Sequence, residues 1–125
     1  MITKQILIID DEYRIREITK MSLEMMAGWK VLTAGSGSEG LAIAQSQQPD
    51  AILLDIMMPK LDGTETLARL QANHTTQQIP VLLLTAKTQP IEQNHLREAV
   101  RAVIEKPFDP LQLPNQIAEA LGWSL

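Results

Sequence analysis

Two apolar runs that each end in acid constrain this chain more than any other feature. Ile6-Leu7-Ile8-Ile9 leads into Asp10-Asp11-Glu12, and Ala51-Ile52-Leu53-Leu54 leads into Asp55. Continuous apolar runs of this kind, without the alternation of a half-exposed strand, predict strands covered on both faces, as inside a parallel sheet. Such a sheet requires a helical crossover between successive strands. A carboxylate is costly in that core. At the carboxyl end of a strand it is well placed, because open α/β sheets bind ligands in the crevice there.

The intervening segments supply the helices. Across residues 13–27, Ile15, Ile18, Met21, Ser22 and Met25 recur at helical spacing, and Gly28 suits the position just past a helix end. Residues 29–34 predict a second strand. Ser36 and Glu39 form an S-x-x-E capping box, which opens a helix through Leu41, Ala42 and Ala44 that stops before Pro49. Beyond Asp55, Pro59 marks a loop, Asp62 and Glu65 have capping-box spacing, and residues 63–72 predict a helix with Leu67 and Leu70 inward.

Residues 79–85 predict a fourth strand, with Pro80 at its start where a missing N–H does least harm. Pro90 opens a helix through Ile91, Leu96 and Ala99, whose apolar stripe is the weakest. Residues 101–105 predict a fifth strand, and Lys106-Pro107-Phe108 a tight turn. Leu113, Ile117 and Leu121 then share one helix face. Asp109-Pro110 has the form of a cap and first residue, but Pro114 predicts an irregular first turn, with the regular helix beginning near Pro114.

Strict alternation predicts an α/β fold: a (βα)5, doubly wound, five-stranded parallel sheet of order 2-1-3-4-5, the flavodoxin-like arrangement, with right-handed crossovers. In that order strands 1 and 3 are neighbours, so Asp10, Asp11 and Asp55 meet at one edge. The 125 residues fit a single domain, 1–125. The chain has no cysteine, which excludes a disulfide framework, a thiol nucleophile and a thiolate metal site. No apolar run approaches the roughly 20 residues of a membrane span, and the start has no long apolar signal core, so a soluble, cytoplasmic protein is expected. A net charge of −4 with scattered basic residues disfavours nucleic acid.

Like charges 4 Å apart repel by about 4 kcal/mol at an effective dielectric near 20, so three aspartates at one edge need a counterion. Hard oxygen ligands suit Mg²⁺. Lys106 adds a fixed cation across the sheet's carboxyl end, and Thr85 offers a hydroxyl. A pocket so built would hold a phosphoryl group on a carboxylate, with Asp55 the expected acceptor. Taken singly, each residue is ordinary: aspartate in a turn, threonine in a strand, lysine on a surface. Only the shared sheet end raises them. Asp62 reads most simply as a helix cap. Met21, Met25, Met26 and Met58 read as gap-filling core or loop packing. His74 and His95 are too isolated for a metal site, and Trp123 either covers the last helix or lies free.

The pair Asp10-Asp11, the run Asp55-Ile56-Met57-Met58-Pro59 with Asp62-Gly63, the pair Thr85-Ala86, and Lys106-Pro107-Phe108 stand in this order at these strand ends. Together they resemble the response-regulator receiver domain (CheY-like) of two-component signalling, over essentially the whole chain. The resemblance implies that Asp55 accepts phosphate from a sensor histidine kinase or phosphotransfer protein. It implies Mg²⁺ held by Asp11, Asp55 and the Met57 backbone carbonyl, with Asp10 acting through water. It also implies a cis peptide before Pro107 that aims Lys106 into the site.

The expected function is therefore a stand-alone receiver, a switch rather than a turnover enzyme. Such a switch relays phosphate or binds a downstream protein through the Pro90 helix, the fifth strand and the last helix, as a monomer or weak dimer. One position departs from the family's pattern: three residues before the lysine, receivers commonly carry Tyr or Phe, and here Val103 stands. Coupling from Thr85 to the output face is then expected to be weaker, or to use backbone movement. Two other functions fit the architecture less well. A flavin electron carrier needs a phosphate cradle after strand 1, where Asp10-Asp11-Glu12 would repel it. A small hydrolase with Asp55 as nucleophile would lack a cap or substrate-binding domain.

Overall fold

The computed structural model describes residues 3–58, 63–86 and 99–124. Strands β1 (Gln5–Ile9), β2 (Lys30–Ala34), β3 (Ala51–Asp55), β4 (Val81–Ala86) and β5 (Ala102–Lys106) form one sheet in the order β2-β1-β3-β4-β5, every pair parallel. The helices are α1 (Tyr13–Ser22), continued by a π-helical turn (Leu23–Ala27), then α2 (Gly37–Gln47), α3 (Gly63–Ala72) and α4 (Leu113–Leu121). The helix expected from Pro90 lies almost wholly outside the described residues, as do Pro59, Asp62 and His95.

The continuous apolar runs are explained by two cores, one on each face of the sheet. Ile6, Ile8, Leu53, Leu82 and Leu84 point to one side, where Leu23 and the α4 residues Leu113 and Ile117 cover them. Leu7, Ile9, Ile52, Leu54 and Leu83 point to the other, under Ala44 of α2 and Leu67 and Leu70 of α3. With both faces apolar, a strand slipped by one residue would still bury apolar side chains. The acids at the strand ends oppose the slip, because it would drag Asp10 or Asp55 into hydrocarbon. The register found pairs Ile9 with Leu54, which leaves the two aspartates at one edge. Gly40 brings α2 close to β1, since a Cβ there would overlap the Ile9 side chain.

Local signals held at several ends. Ser36 caps α2, its Oγ accepting from the Glu39 N–H at 3.2 Å. Gly28 closes the α1 extension at φ +72°. The Asp109 carboxylate accepts from the Leu111 N–H at 2.9 Å and its carbonyl takes the Gln112 and Leu113 N–H groups, an irregular turn before α4 begins with Pro114 in its first turn. The Lys106–Pro107 peptide is cis. Trp123 packs edge-on against Trp29, ring centroids 5.1 Å apart.

Strand ends move by a residue or two. Ile79 precedes β4 because its N–H turns back to the Thr76 carbonyl, and β5 runs on to Lys106. α1 needs a larger correction. Ile18, Met21 and Met25 are exposed, whereas Thr19, Ser22 and Leu23 are buried. Apolar residues occupy both sides of this helix, and the wider π turn puts Leu23 on the sheet and swings Met25 and Met26 outward. On α2, Ala44 is buried and Ala42 is exposed. No described helix is long and apolar enough to cross a membrane.

Candidate functional site

The carboxyl ends of β1, β3, β4 and β5 bring the expected residues together. Asp10 and Asp55 are buried, at 0% and 1% exposure, and Asp11 is exposed. One carboxylate oxygen from each of the three lies within 4.8 Å of the others. Asp10 is fixed on both oxygens: Oδ1 accepts from the Glu12 N–H at 2.9 Å and Oδ2 from Lys106 Nζ at 3.0 Å. Asp55 is fixed on one, with Oδ1 accepting from the Met57 N–H at 3.0 Å and lying 3.5 Å from Lys106 Nζ. Asp55 Oδ2 is buried without a hydrogen-bond partner among the described residues. Thr85 is buried at the end of β4, one register step past the Asp55–Leu84 pair.

Burial pushes the Asp55 carboxyl up; the Met57 N–H opposes it, the Asp10 charge adds to it and the Lys106 charge opposes it, leaving the pKa raised from 3.8 to about 7. Burial works against the Lys106 ammonium too. The hydrogen bond to Asp10 and the charges of Asp10, Asp55 and Glu12 outweigh it, so the lysine stands above its ordinary value. The crowding expected of three acids is thus relieved in part by a lysine and in part by a proton.

Some of the machinery was not expected. Glu12 lies 3.8 Å from Lys106 Nζ, and its signal was the third acid in the row after β1. Arg16 of α1 donates to the Asp10 carbonyl at 2.7 Å, which nothing in the spacing indicates. Met58 is buried as expected, but Met21, Met25 and Met26 are not packing. With Ile18, Pro110 and Leu111 they line an open, almost wholly apolar groove of about 260 Å³ between α1 and the turn before α4. His74 is exposed.

Comparison with known proteins follows the same lines. The response regulator receiver domain family model matches residues 6–118. The phosphate regulon transcriptional regulatory protein PhoB of Pseudomonas aeruginosa is 39% identical over 124 residues, 97% of this chain and 53% of that protein. The DNA-binding dual master transcriptional regulator RpaA of Synechocystis is 42% identical over 118 residues, 94% of this chain and 46% of that protein. The chain thus spans about half the length of these curated relatives. Among solved structures, a putative response regulator from Chloroflexus aurantiacus superposes with a TM-score of 0.86 at 30% identity, covering 97% of this chain and 99% of that one. Chemotaxis protein CheY4 of Vibrio cholerae gives 0.85 at 29% identity, covering 95% and 99%. With the sheet order and the acidic edge already in place, these matches lead to one conclusion: the chain belongs to the response regulator receiver domain family of two-component systems.

Proposed function

We propose that Asp55 accepts a phosphoryl group from a phosphohistidine on a sensor histidine kinase or phosphotransfer protein, at a Mg²⁺ site made by Asp11, Asp55 and the Met57 backbone carbonyl, with Asp10 acting through water. The observation that carries this is the buried Asp55 Oδ2, unpartnered among the described residues, beside two further carboxylates and an ammonium. A group so costly to leave unpaired is best explained by a ligand that completes it. Octahedral Mg²⁺ holds oxygens at about 2.1 Å, so direct ligands stand roughly 3 to 4 Å apart. One oxygen from each of the three carboxylates lies within 4.8 Å of the others, close enough for one such ion to draw on all three directly or through water.

In the transfer, an Asp55 oxygen attacks phosphorus, the phosphorus–nitrogen bond of the donor breaks, and the leaving imidazole regains its lone pair. Mg²⁺, when bound, offsets the charge of the carboxylates and of the phosphoryl oxygens. Lys106, held by Asp10, stays beside the acceptor to take one phosphoryl oxygen, and the Thr85 hydroxyl takes another. Asp55 must be ionised to attack, and a cation bound beside it would favour that ionised form.

Receiver domains are signalling switches, and residues 1–125 act here as one such unit rather than as a turnover enzyme. A downstream protein binds the face of β5 and α4; the Pro90 helix expected to share it lies almost wholly outside the described residues. Val103 is half-buried against the apolar cluster around Leu83 and has no ring to swing, so coupling from Thr85 to the output face is either weaker or carried by backbone movement. The test is exposure to acetyl phosphate and Mg²⁺ followed by intact mass. One phosphoryl adduct is expected on the unaltered chain and none on Asp55→Ala. No adduct on the former, or the same adduct on the latter, rejects the proposal.

A further inference from the structure

Arg16 sits in the first turn of α1, and its guanidinium is spent on the backbone carbonyl of one of the three aspartates. Its Nη1 donates to the Asp10 carbonyl oxygen at 2.7 Å. Asp10 is wholly buried and lies one residue past the end of β1. A buried carbonyl at a strand end needs a donor, and a charged donor makes the stronger bond. The guanidinium is itself held. A Cβ at Gly35 would stand 3.2 Å from Nη1, so glycine there leaves it room, and the Tyr13 ring lies 5.6 Å from its central carbon.

The carbonyl that Arg16 grips belongs to the planar peptide that also carries the Asp11 nitrogen. Asp11 is exposed, and among the described residues no hydrogen bond or ion pair holds its side chain. What orients it is the backbone, which fixes the Cα–Cβ bond from which the carboxylate takes its rotamers. We infer that Arg16 is a positioning residue for the Mg²⁺ site: by fixing the Asp10–Asp11 peptide it aims the Asp11 carboxylate, and Gly35 keeps the space in which it does so. The inference rests on the Mg²⁺ site proposed above. Groups of this kind, which orient ligands without touching the metal, typically change affinity by about 10- to 100-fold when removed.

The test is calorimetric titration of MgCl₂ into the full chain, with melting of the same samples in the absence of divalent ions. Arg16→Gln is expected to weaken Mg²⁺ binding on the order of tenfold. Arg16→Lys recovers most of the loss, because an ammonium on a long stem still reaches the carbonyl. Gly35→Ala, which crowds the guanidinium, produces a smaller loss in the unaltered chain and none in the Arg16→Gln background, since both act through one contact. An unchanged Mg²⁺ affinity in Arg16→Gln, with only a lower melting temperature, overturns the inference and reduces Arg16 to a tie between helix and sheet. If Arg16→Gln does not fold, Gly35→Ala decides alone, and unchanged affinity there overturns it. A chain that binds no Mg²⁺ before any substitution overturns the site itself and this inference with it.

Discussion

Lys106 Nζ lies 3.5 Å from Asp55 Oδ1, yet Asp55 holds its proton to about pH 7. An ammonium at that distance would ordinarily keep a carboxylate ionised. Here burial opposes it, and the lysine stands closer to Asp10, at 3.0 Å, whose own charge works against ionisation of Asp55. One cation shared between two buried acids leaves the pair a charge short, which is the electrostatic condition a divalent ion would correct.

This arrangement fixes the sign of a pH effect. Unfolded, the Asp55 carboxyl titrates near 3.8, and folded near 7, so between these values the native chain keeps a proton that the unfolded chain has released. Stability from this group is highest below the lower value, falls as pH rises through the window, and levels off above it. Without divalent ions, the melting temperature of Asp55→Asn minus that of the unaltered chain is expected to widen between pH 3.8 and about 7 and to level off above that. A constant difference would contradict the raised pKa. Mg²⁺ competes with the proton, so its affinity is expected to increase over the same window.

Replacing Lys106 separates support from ligation. Its pKa is raised above the ordinary 10.5, so its stabilising charge is whole at neutral pH and is lost only as pH rises through that higher value. Lys106→Met leaves Asp10 buried without its cation, and urea denaturation of the apo chain is expected to show a loss of about 2–3 kcal/mol, below the full effect of a deeply buried pair because the lysine retains some exposure. Mg²⁺ affinity should hold or rise, because the lysine is not a ligand. A large fall in affinity would contradict the role given to it.

Gly63 opens α3 hard against the end of β3, without room to spare. A Cβ there would overlap the Asp55 carbonyl oxygen and the Ile56 backbone, while its N–H donates to the Ile56 carbonyl at 3.2 Å. Gly63→Ala must therefore push the Asp55–Ile56 backbone aside. Overpacking of this kind typically costs about 1–3 kcal/mol. The distinguishing result is that phosphorylation from acetyl phosphate slows as well, which a purely local loss of stability far from Asp55 would not produce.

The strands were legible because burial on both faces leaves an unbroken apolar run, and because Asp10, Asp55 and Lys106 mark where each run must stop. The site followed from them, since strand order alone makes β1 and β3 neighbours. α1 was not legible in the same way. Ile15, Ile18, Met21, Ser22 and Met25 keep helical spacing, but so do Thr19, Ser22 and Leu23; of the first set Ser22 is buried and Ile15 half-buried, while Ile18, Met21 and Met25 face outward. The choice between them depends on tertiary contacts, such as Ser22 Oγ donating to the Pro110 carbonyl, and on a π turn that no periodicity encodes. Arg16 escaped for a related reason: its partner is a backbone carbonyl, which carries no signature in the residue types.

The two assignments of α1 predict opposite results for a pair of substitutions. Leu23 is wholly buried among Ile6, Ile8 and the α4 residues, whereas Met25 is 79% exposed. Leu23→Ala is expected to destabilise by about 3 kcal/mol, through lost burial and the cavity left behind. Met25→Gln should stay within about 0.5 kcal/mol of the unaltered chain, as for a surface change that breaks no contact. Chemical denaturation of both variants ranks them directly. Were the apolar stripe Ile18-Met21-Met25 the inward face, Met25→Gln would place an amide in hydrocarbon and the order would reverse.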